Sequence, residues 1–201
     1  MHGDGYENLG ESSVHPGYRS QSIRLPGWDY SEAGWYFVTV CTKDRRCVLG
    51  DMVEGLMVLS PVGKIVEEEW QRTATIRQHV GLDEFVIMPN HLPGILVINE
   101  GQGKTSHRDV SKKSRLMPQS LGAMIGQFKS VCTKRIRGDG FSQFAWQPRF
   151  YEHVIRDERS LGAIRQYIVD NPAKWDLDDD NPENFRRTKR TFHRNVSTKR
   201  G

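Results

Sequence analysis

Leu82-Asp83-Glu84-Phe85-Val86-Ile87-Met88-Pro89-Asn90-His91-Leu92-Pro93-Gly94-Ile95-Leu96-Val97-Ile98 is two apolar runs hinged on Pro89-Asn90. Each run has the length and β-branched content of a strand, and the residues between them are turn formers, so the segment makes either a hairpin or one bent strand. His91 opens the second run. Side chains at i and i+2 of a strand share a face, so a His-x-His pair there would aim two imidazoles at one cation. The second position is instead Pro93, which offers neither a ligand atom nor an N–H for the strand ladder. A lone histidine beside a turn is ordinarily a hydrogen-bonded structural residue, so His91 needs partners from elsewhere to mean more.

Outward from this segment the pattern is mixed. Trp35 to Cys41 is aromatic and β-branched and reads as a buried strand that ends in the charged Lys43-Asp44-Arg45-Arg46. Cys47 to Leu59 reads as a small hairpin, and Ser60-Pro61 as an N-cap with proline at the first helical position. Val62, Ile65, Val66, Trp70 and Ile76 then recur near the helical period, with Gly81 expected to close the helix. After strands over Leu82 to Met88 and His91 to Ile98, residues Asn99 to Arg115 read as a basic loop carrying Lys104, Arg108, Lys112, Lys113 and Arg115. A helix is expected from about Pro118 to Arg137, a strand from Phe144 to Ile155, and a last helix from Asp157 to about Asp170, stopped by Asn171-Pro172. This order does not alternate as a doubly wound sheet would. It predicts an α+β domain, an antiparallel sheet with its helices on one face.

Length and composition bound the rest. The 201 residues suit one domain with a core. Residues 1–27 read as a flexible leader, 28–175 as the domain and 176–201 as a tail, acidic at Asp176, Asp178, Asp179 and Asp180 and basic from Arg186. Three cysteines, Cys41, Cys47 and Cys132, form no Cys-x-x-Cys pair, which excludes a disulfide scaffold or zinc ribbon and fits a reducing cytoplasm. The first thirty residues hold no apolar export signal, and no apolar run approaches the roughly 18 residues of a membrane span. A net charge of +4 is only mildly basic, so clustering matters more than the total. Lys129, Lys134, Arg135 and Arg137 on one expected helix, with Arg149 and the basic loop and arm, form patches able to follow a phosphate backbone. Any one of them is also readable as a solvated face. Trp146 and Tyr151 flank Arg149 and are readable either as base-stacking or as core aromatics.

Tyr167 by itself is a half-buried aromatic anchoring a helix. Asn171, four residues on, shares its helix face, so a phenol and an amide oxygen are presented together. Tyr36 to Arg45, Asp83 to His91, Ile125-Gly126-Gln127-Phe128-Lys129-Ser130 and Ile164 to Pro172 resemble, in order, the REP-associated tyrosine transposases, a branch of the single-tyrosine HUH transposases. The resemblance covers about Ile23 to Trp175. It implies a ferredoxin-like fold, with the histidine motif on a strand and the tyrosine on a helix packed across the sheet.

It also implies a chemistry. Tyr167 matches a nucleophile that attacks a phosphodiester of single-stranded, hairpin-forming DNA, leaving a 5′-phosphotyrosine and a free 3′-hydroxyl. His91 and Asn171 match two ligands of a divalent cation, Mg²⁺ or Mn²⁺, and the missing third falls on Pro93. Three readings of Pro93 stay open: a weakened site in which water completes the shell, compensation by His153, or loss of cleavage with DNA binding retained. Expected partners are single-stranded or hairpin DNA, with a homodimer compatible and no membrane.

Overall fold

The computed structural model describes residues 27–100, 119–178 and 180–184. The expected leader, the basic part of the 99–115 loop and the basic arm from Arg186 lie outside the described residues. The fold is organised by two eight-residue strands, β1 (Gly34–Cys41) and β5 (His91–Ile98), paired antiparallel from Gly34 opposite Ile98 to Cys41 opposite His91. Both are apolar on both faces, as strands covered on two sides must be. β4 (Val80–Phe85) adds antiparallel to β5, and β6 (Tyr151–Ile155) antiparallel to β1, giving the order β4-β5-β1-β6. A separate hairpin, β2 (Gly50–Val53) with β3 (Leu56–Leu59), is inserted between β1 and α1 (Pro61–Thr75). With α2 (Leu121–Gly138) between β5 and β6, the four main strands and two helices make interleaved split β-α-β units, the ferredoxin-like arrangement.

Alternation along the strands sorts the core into two layers. Tyr36, Val38 and Val40 of β1 and Leu92, Leu96 and Ile98 of β5 face α1 and α2, whereas Phe37 and Ile95 face the last helix, α3 (Glu158–Asp170). The helices therefore do not share one face as the element order suggested: α3 crosses the opposite face and buries Leu161, Ile164 and Ile168 there. The correction follows from Trp35, Phe37, Ile95 and Val97, odd-numbered positions of β1 and β5 that are apolar too and would otherwise lie bare. A fork between Arg165 and Asp83 of β4, at 2.7 and 2.8 Å, sets α3 on the sheet, and the same guanidinium lies 5.5 Å over the Trp35 ring.

Other boundaries shift for local reasons. α1 ends at Thr75, and Gly81 belongs to β4. β4 ends at Phe85 rather than Met88, after a register irregularity between Leu82 and Phe85. The last strand starts at Tyr151, because Phe144 and Trp146 turn into the core and make an edge-to-face pair 5.0 Å apart. α1 begins as expected, with the Ser60 hydroxyl accepting from Gly63 N at 3.0 Å. Trp70, fully buried, joins the two helices of that layer through an edge contact with Phe128 at 5.3 Å.

Gly63 decides how closely the inserted hairpin can lie on α1. A Cβ there would stand 1.9 Å from the Leu49 carbonyl oxygen, a backbone atom that cannot swing aside. Alanine for glycine inside a helix ordinarily stabilises by about 0.5–1 kcal/mol. Gly126, in open space on α2, should follow that rule, and Gly126→Ala should raise the urea midpoint. Gly63→Ala should lower it, by about 2 kcal/mol or more, since overpacking against backbone outweighs the helix gain. Equal shifts of the same sign in the two variants would show that the close approach is absent.

Candidate active site

Odd-numbered positions carry His91 and Pro93 of β5, Phe37, Thr39 and Cys41 of β1 and Tyr151 of β6 onto the face that α3 crosses. His91 is 1% exposed. Its Nδ1 lies 2.9 Å from Asn90 Oδ1. Asn90 Nδ2 donates to two carbonyls, Arg45 O at 3.2 Å and Asp180 O at 2.7 Å, so the amide nitrogen must face them and the oxygen must face the ring. An amide oxygen only accepts. Nδ1 of His91 therefore carries the proton, and Nε2 keeps its lone pair for an electrophile. Burial drives the imidazole pKa down to about 4, with Asp178 opposing and Arg45 reinforcing the shift, so His91 is neutral at physiological pH. Trp175 packs beside the ring at 6.2 Å.

The turn after β1 serves the same residue. Asp44 and Arg45 both adopt positive φ, 56° and 52°, a conformation that costs non-glycine residues about 1 kcal/mol each. The Asn90 amide on the Arg45 carbonyl and an ion pair between Arg45 and Asp180 hold it. The Asp180 carboxylate lies 4.0 Å from His91 Nδ1.

Tyr167 is half-buried and stands edge-on to Phe37, ring centroids 6.0 Å apart. Burial first, then the Asp178 and Asp180 carboxylates, push its phenol up to about 12, while the Asn171 amide draws it down. The phenol is thus protonated at neutral pH. Asn171 continues the helical backbone past α3, with φ −55° and ψ −46°, so the i, i+4 relation to Tyr167 holds. It is 3% exposed, and neither amide atom reaches hydrogen-bond geometry with any described group. Such orphaned atoms are rare and cost about 1–3 kcal/mol. Thr39 Oγ1, 7% exposed, is a second orphan on this face.

Pro93 sits in a central strand without disrupting it. Val86 N donates to Pro93 O at 3.2 Å and Met88 N to His91 O at 2.8 Å, so the odd residues of β5 direct their backbone groups toward the β4 side. The missing Pro93 N–H removes one rung opposite Val86, beyond the end of regular β4, and leaves the pairing with β1 untouched.

The sequence-predicted cations divide. Lys129 Nζ donates to the carbonyls of Gln147, Pro148 and Arg149, Arg135 joins Glu68 and Glu69 of α1 at 2.7 and 2.6 Å, and Arg137 Nε donates to Phe144 O at 3.0 Å. These three hold the protein's own elements together. Lys134 is exposed, and Arg149, also exposed, has a partner as the other three do. Trp146 is core, not a stacking platform, and Tyr151 is half-buried against Phe37. His153 pairs with Phe37, four positions along β1 from the partner of His91, roughly 13 Å at strand rise. It is too far to stand in for the missing histidine. Sequence reasoning missed Asn90, Thr39 and the Asp178–Asp180 carboxylates. Of these only Asn90, inside the Met88-Pro89-Asn90-His91 motif, left a signal.

Among the described residues no group of three His, Cys, Asp or Glu side chains is placed to hold a metal ion. The donors present are the neutral His91 Nε2 and the Asn171 amide oxygen. They fit a hard divalent cation that keeps several waters, and they do not fit a closed structural zinc site.

A 34% identical relative, an uncharacterized protein of Haemophilus influenzae, aligns over 166 residues, 80% of this chain and 92% of its own length. A second protein of that organism, named "Putative REP-associated tyrosine transposase", is 27% identical over 147 residues, covering 73% of this chain and 74% of itself. The solved structure of a REP-associated tyrosine transposase bound to a REP hairpin superposes with a TM-score of 0.53 at 22% identity, covering 78% of this chain and 74% of that one. In sequence and in fold the chain is similar to the REP-associated tyrosine transposases. No family model matches it. Against the His-x-His pattern that the resemblance implies, this chain keeps the first histidine as His91 and has Pro93 at the second position. No described helix is long and apolar enough to cross a membrane.

The buried neutral state of His91 makes stability depend on pH. Its folded pKa of about 4 lies below the unfolded value near 6.5, so the unfolded chain binds the extra proton between them and stability falls as pH drops through that window. The loss should be on the order of 3 kcal/mol by about pH 4 and absent above about pH 7. Urea unfolding at about pH 7 and about pH 4.5 measures it, and His91→Gln should flatten the dependence. An unchanged slope in the variant would place His91 in water.

Proposed function

We propose that this chain binds single-stranded, hairpin-forming DNA and cleaves and rejoins it through Tyr167. The observation that carries the reading is that Asp178 acts on both the His91 ring and the Tyr167 phenol, with Asp180 beside both and the Asn171 amide acting on the same phenol. Similarity to a protein named a REP-associated tyrosine transposase and the hairpin bound by the structural relative support it.

On this reading Tyr167 Oη attacks a backbone phosphorus, the P–O3′ bond breaks, and the products are a 5′-phosphotyrosine and a free 3′-hydroxyl. The covalent link conserves the bond energy for rejoining. With a pKa of about 12 the phenol is a poor nucleophile unless positive charge offsets the two carboxylates beside it. A divalent cation, Mg²⁺ or Mn²⁺, held by His91 Nε2 and Asn171 Oδ1, would supply that charge and polarise the scissile phosphate. The protein's own part is to keep His91 neutral and in one tautomer, through Asn90, and to hold Tyr167 edge-on against Phe37.

DNA binding rests on charge spread over the surface. Lys134 and Arg149, exposed on α2 and before β6, are the described residues of the predicted set that suit phosphate contacts. Lys129, Arg135 and Arg137 act one step back, fixing the segment before β6 and the α1–α2 pair on which the exposed cations sit. Pro93 favours a second reading: a chain that has lost cleavage and keeps hairpin binding, which does not depend on one ligand.

The deciding measurement is a covalent adduct between the full chain and a single-stranded hairpin oligonucleotide carrying a 5′-flanking segment, with Mn²⁺ or Mg²⁺. An adduct that disappears in Tyr167→Phe is expected. No adduct in the wild type, with one gained in Pro93→His, would establish the binding-only reading instead. For the interface, Lys134→Ala should weaken hairpin binding and reduce the slope of log affinity against log salt by about 0.9. A slope equal to wild type would remove Lys134 from the contact surface.

A further inference from the structure

Two orphaned polar groups on one buried face call for a common explanation, and only Asn171 was foreseen. Thr39 lies in the middle of β1, directly opposite Pro93. Because the odd residues of β5 turn their backbone groups toward β4, Thr39 and Pro93 form a non-hydrogen-bonded pair, the type in which facing side chains stand closest. The next residues on the same face of β1 are Phe37, which touches the Tyr167 ring, and Cys41, whose thiol influences the Tyr167 phenol. Thr39 is therefore beneath the nucleophile and beside the position where the superfamily's second histidine would stand.

A buried threonine hydroxyl normally returns its proton to a nearby carbonyl, as Thr42 does to Arg46 O at 2.9 Å and Thr73 to Glu69 O at 3.0 Å. Thr39 Oγ1 does neither, although it is as buried. An unbonded buried hydroxyl opposite Pro93, on the strand face that carries His91, marks a place where something polar belongs.

We propose that Thr39 is the third protein group of the cation site, taking over at the cross-strand position the part that Pro93 cannot play. The hydroxyl is much shorter than an imidazole, so it acts through water: Oγ1 accepts a hydrogen bond from a water in the shell of a cation that His91 Nε2 and Asn171 Oδ1 hold directly. Mg²⁺ and Mn²⁺ suit this arrangement because they retain waters readily. Outer-shell partners of this kind contribute 10- to 100-fold in metal affinity, roughly. The inference rests on the proposed cation-dependent function and adds to it a residue outside the HUH pattern.

The test is Mn²⁺ binding to the full-length chain without DNA, followed by electron paramagnetic resonance, together with the metal-free melting temperature. Thr39→Val keeps the β-branched shape and removes only the oxygen. It should weaken Mn²⁺ binding about tenfold while leaving the metal-free melting temperature unchanged or raised. Thr39→Ser should bind Mn²⁺ as wild type does, which separates a lost hydroxyl from a disturbed strand. In a Pro93→His background, where an imidazole returns, Thr39→Val should have no effect. Equal Mn²⁺ affinity in wild type and Thr39→Val overturns the inference. If that result comes with a Tyr167 adduct in the wild type, the proposed function stands without Thr39. Absence of both Mn²⁺ binding and adduct in the wild type overturns the two together.

Discussion

The Asn90 side chain is the contact on which the site depends. One amide joins three segments far apart in sequence: its nitrogen binds the strained turn after β1 and the carbonyl of Asp180, and its oxygen takes the Nδ1 proton of His91. Its backbone carbonyl accepts from both Thr42 N and Thr42 Oγ1, at 2.9 and 3.0 Å, which fixes the end of β1 against the start of β5. Both side-chain polar atoms and the backbone carbonyl of this 1% exposed residue are thereby used. No other residue type has one donor and one acceptor arm of that length, and a carboxylate would leave two carbonyls facing an oxygen.

From this point the chemistry is divided between rigid and covering elements. The sheet supplies His91, Thr39 and the Pro93 gap on strands paired along their full length. α3 supplies Tyr167 and Asn171 and is held by apolar burial on one side and the Arg165 fork to Asp83 at the other. The residues after α3 fold back, place Trp175 on the imidazole, and bring the Asp178 and Asp180 carboxylates close enough to raise the phenol's pKa. Two carboxylates thus border the phenol and the imidazole, with Arg45 as the balancing charge on Asp180.

What the sequence made legible was whatever rests on local pattern. β1 and β5 showed as unbroken apolar runs, α3 as a cap at Asp157 and a stop at Asn171-Pro172, and the Tyr167–Asn171 pair as a helical spacing. What stayed hidden depends on distant partners. Nothing in the neighbours of Thr39 says that its hydroxyl finds no carbonyl. Asp178 and Asp180 read as part of an acidic tail, because the placement of Asp180 beside His91 comes from contacts with residues 45 and 90. Lys129, Arg135 and Arg137 looked like a phosphate-binding row, and only packing reveals that each already has a partner within the protein.

Pro93 has a mechanical consequence as well as a chemical one. The rung it removes lies between the Val86 and Met88 hydrogen bonds, in the stretch where β4 has already left regular pairing. The four-stranded sheet is therefore stiff along the β1–β5 line and compliant along the β4–β5 seam at the same end as His91. Small displacements of the histidine's own strand can be absorbed on one side without disturbing the register on the other.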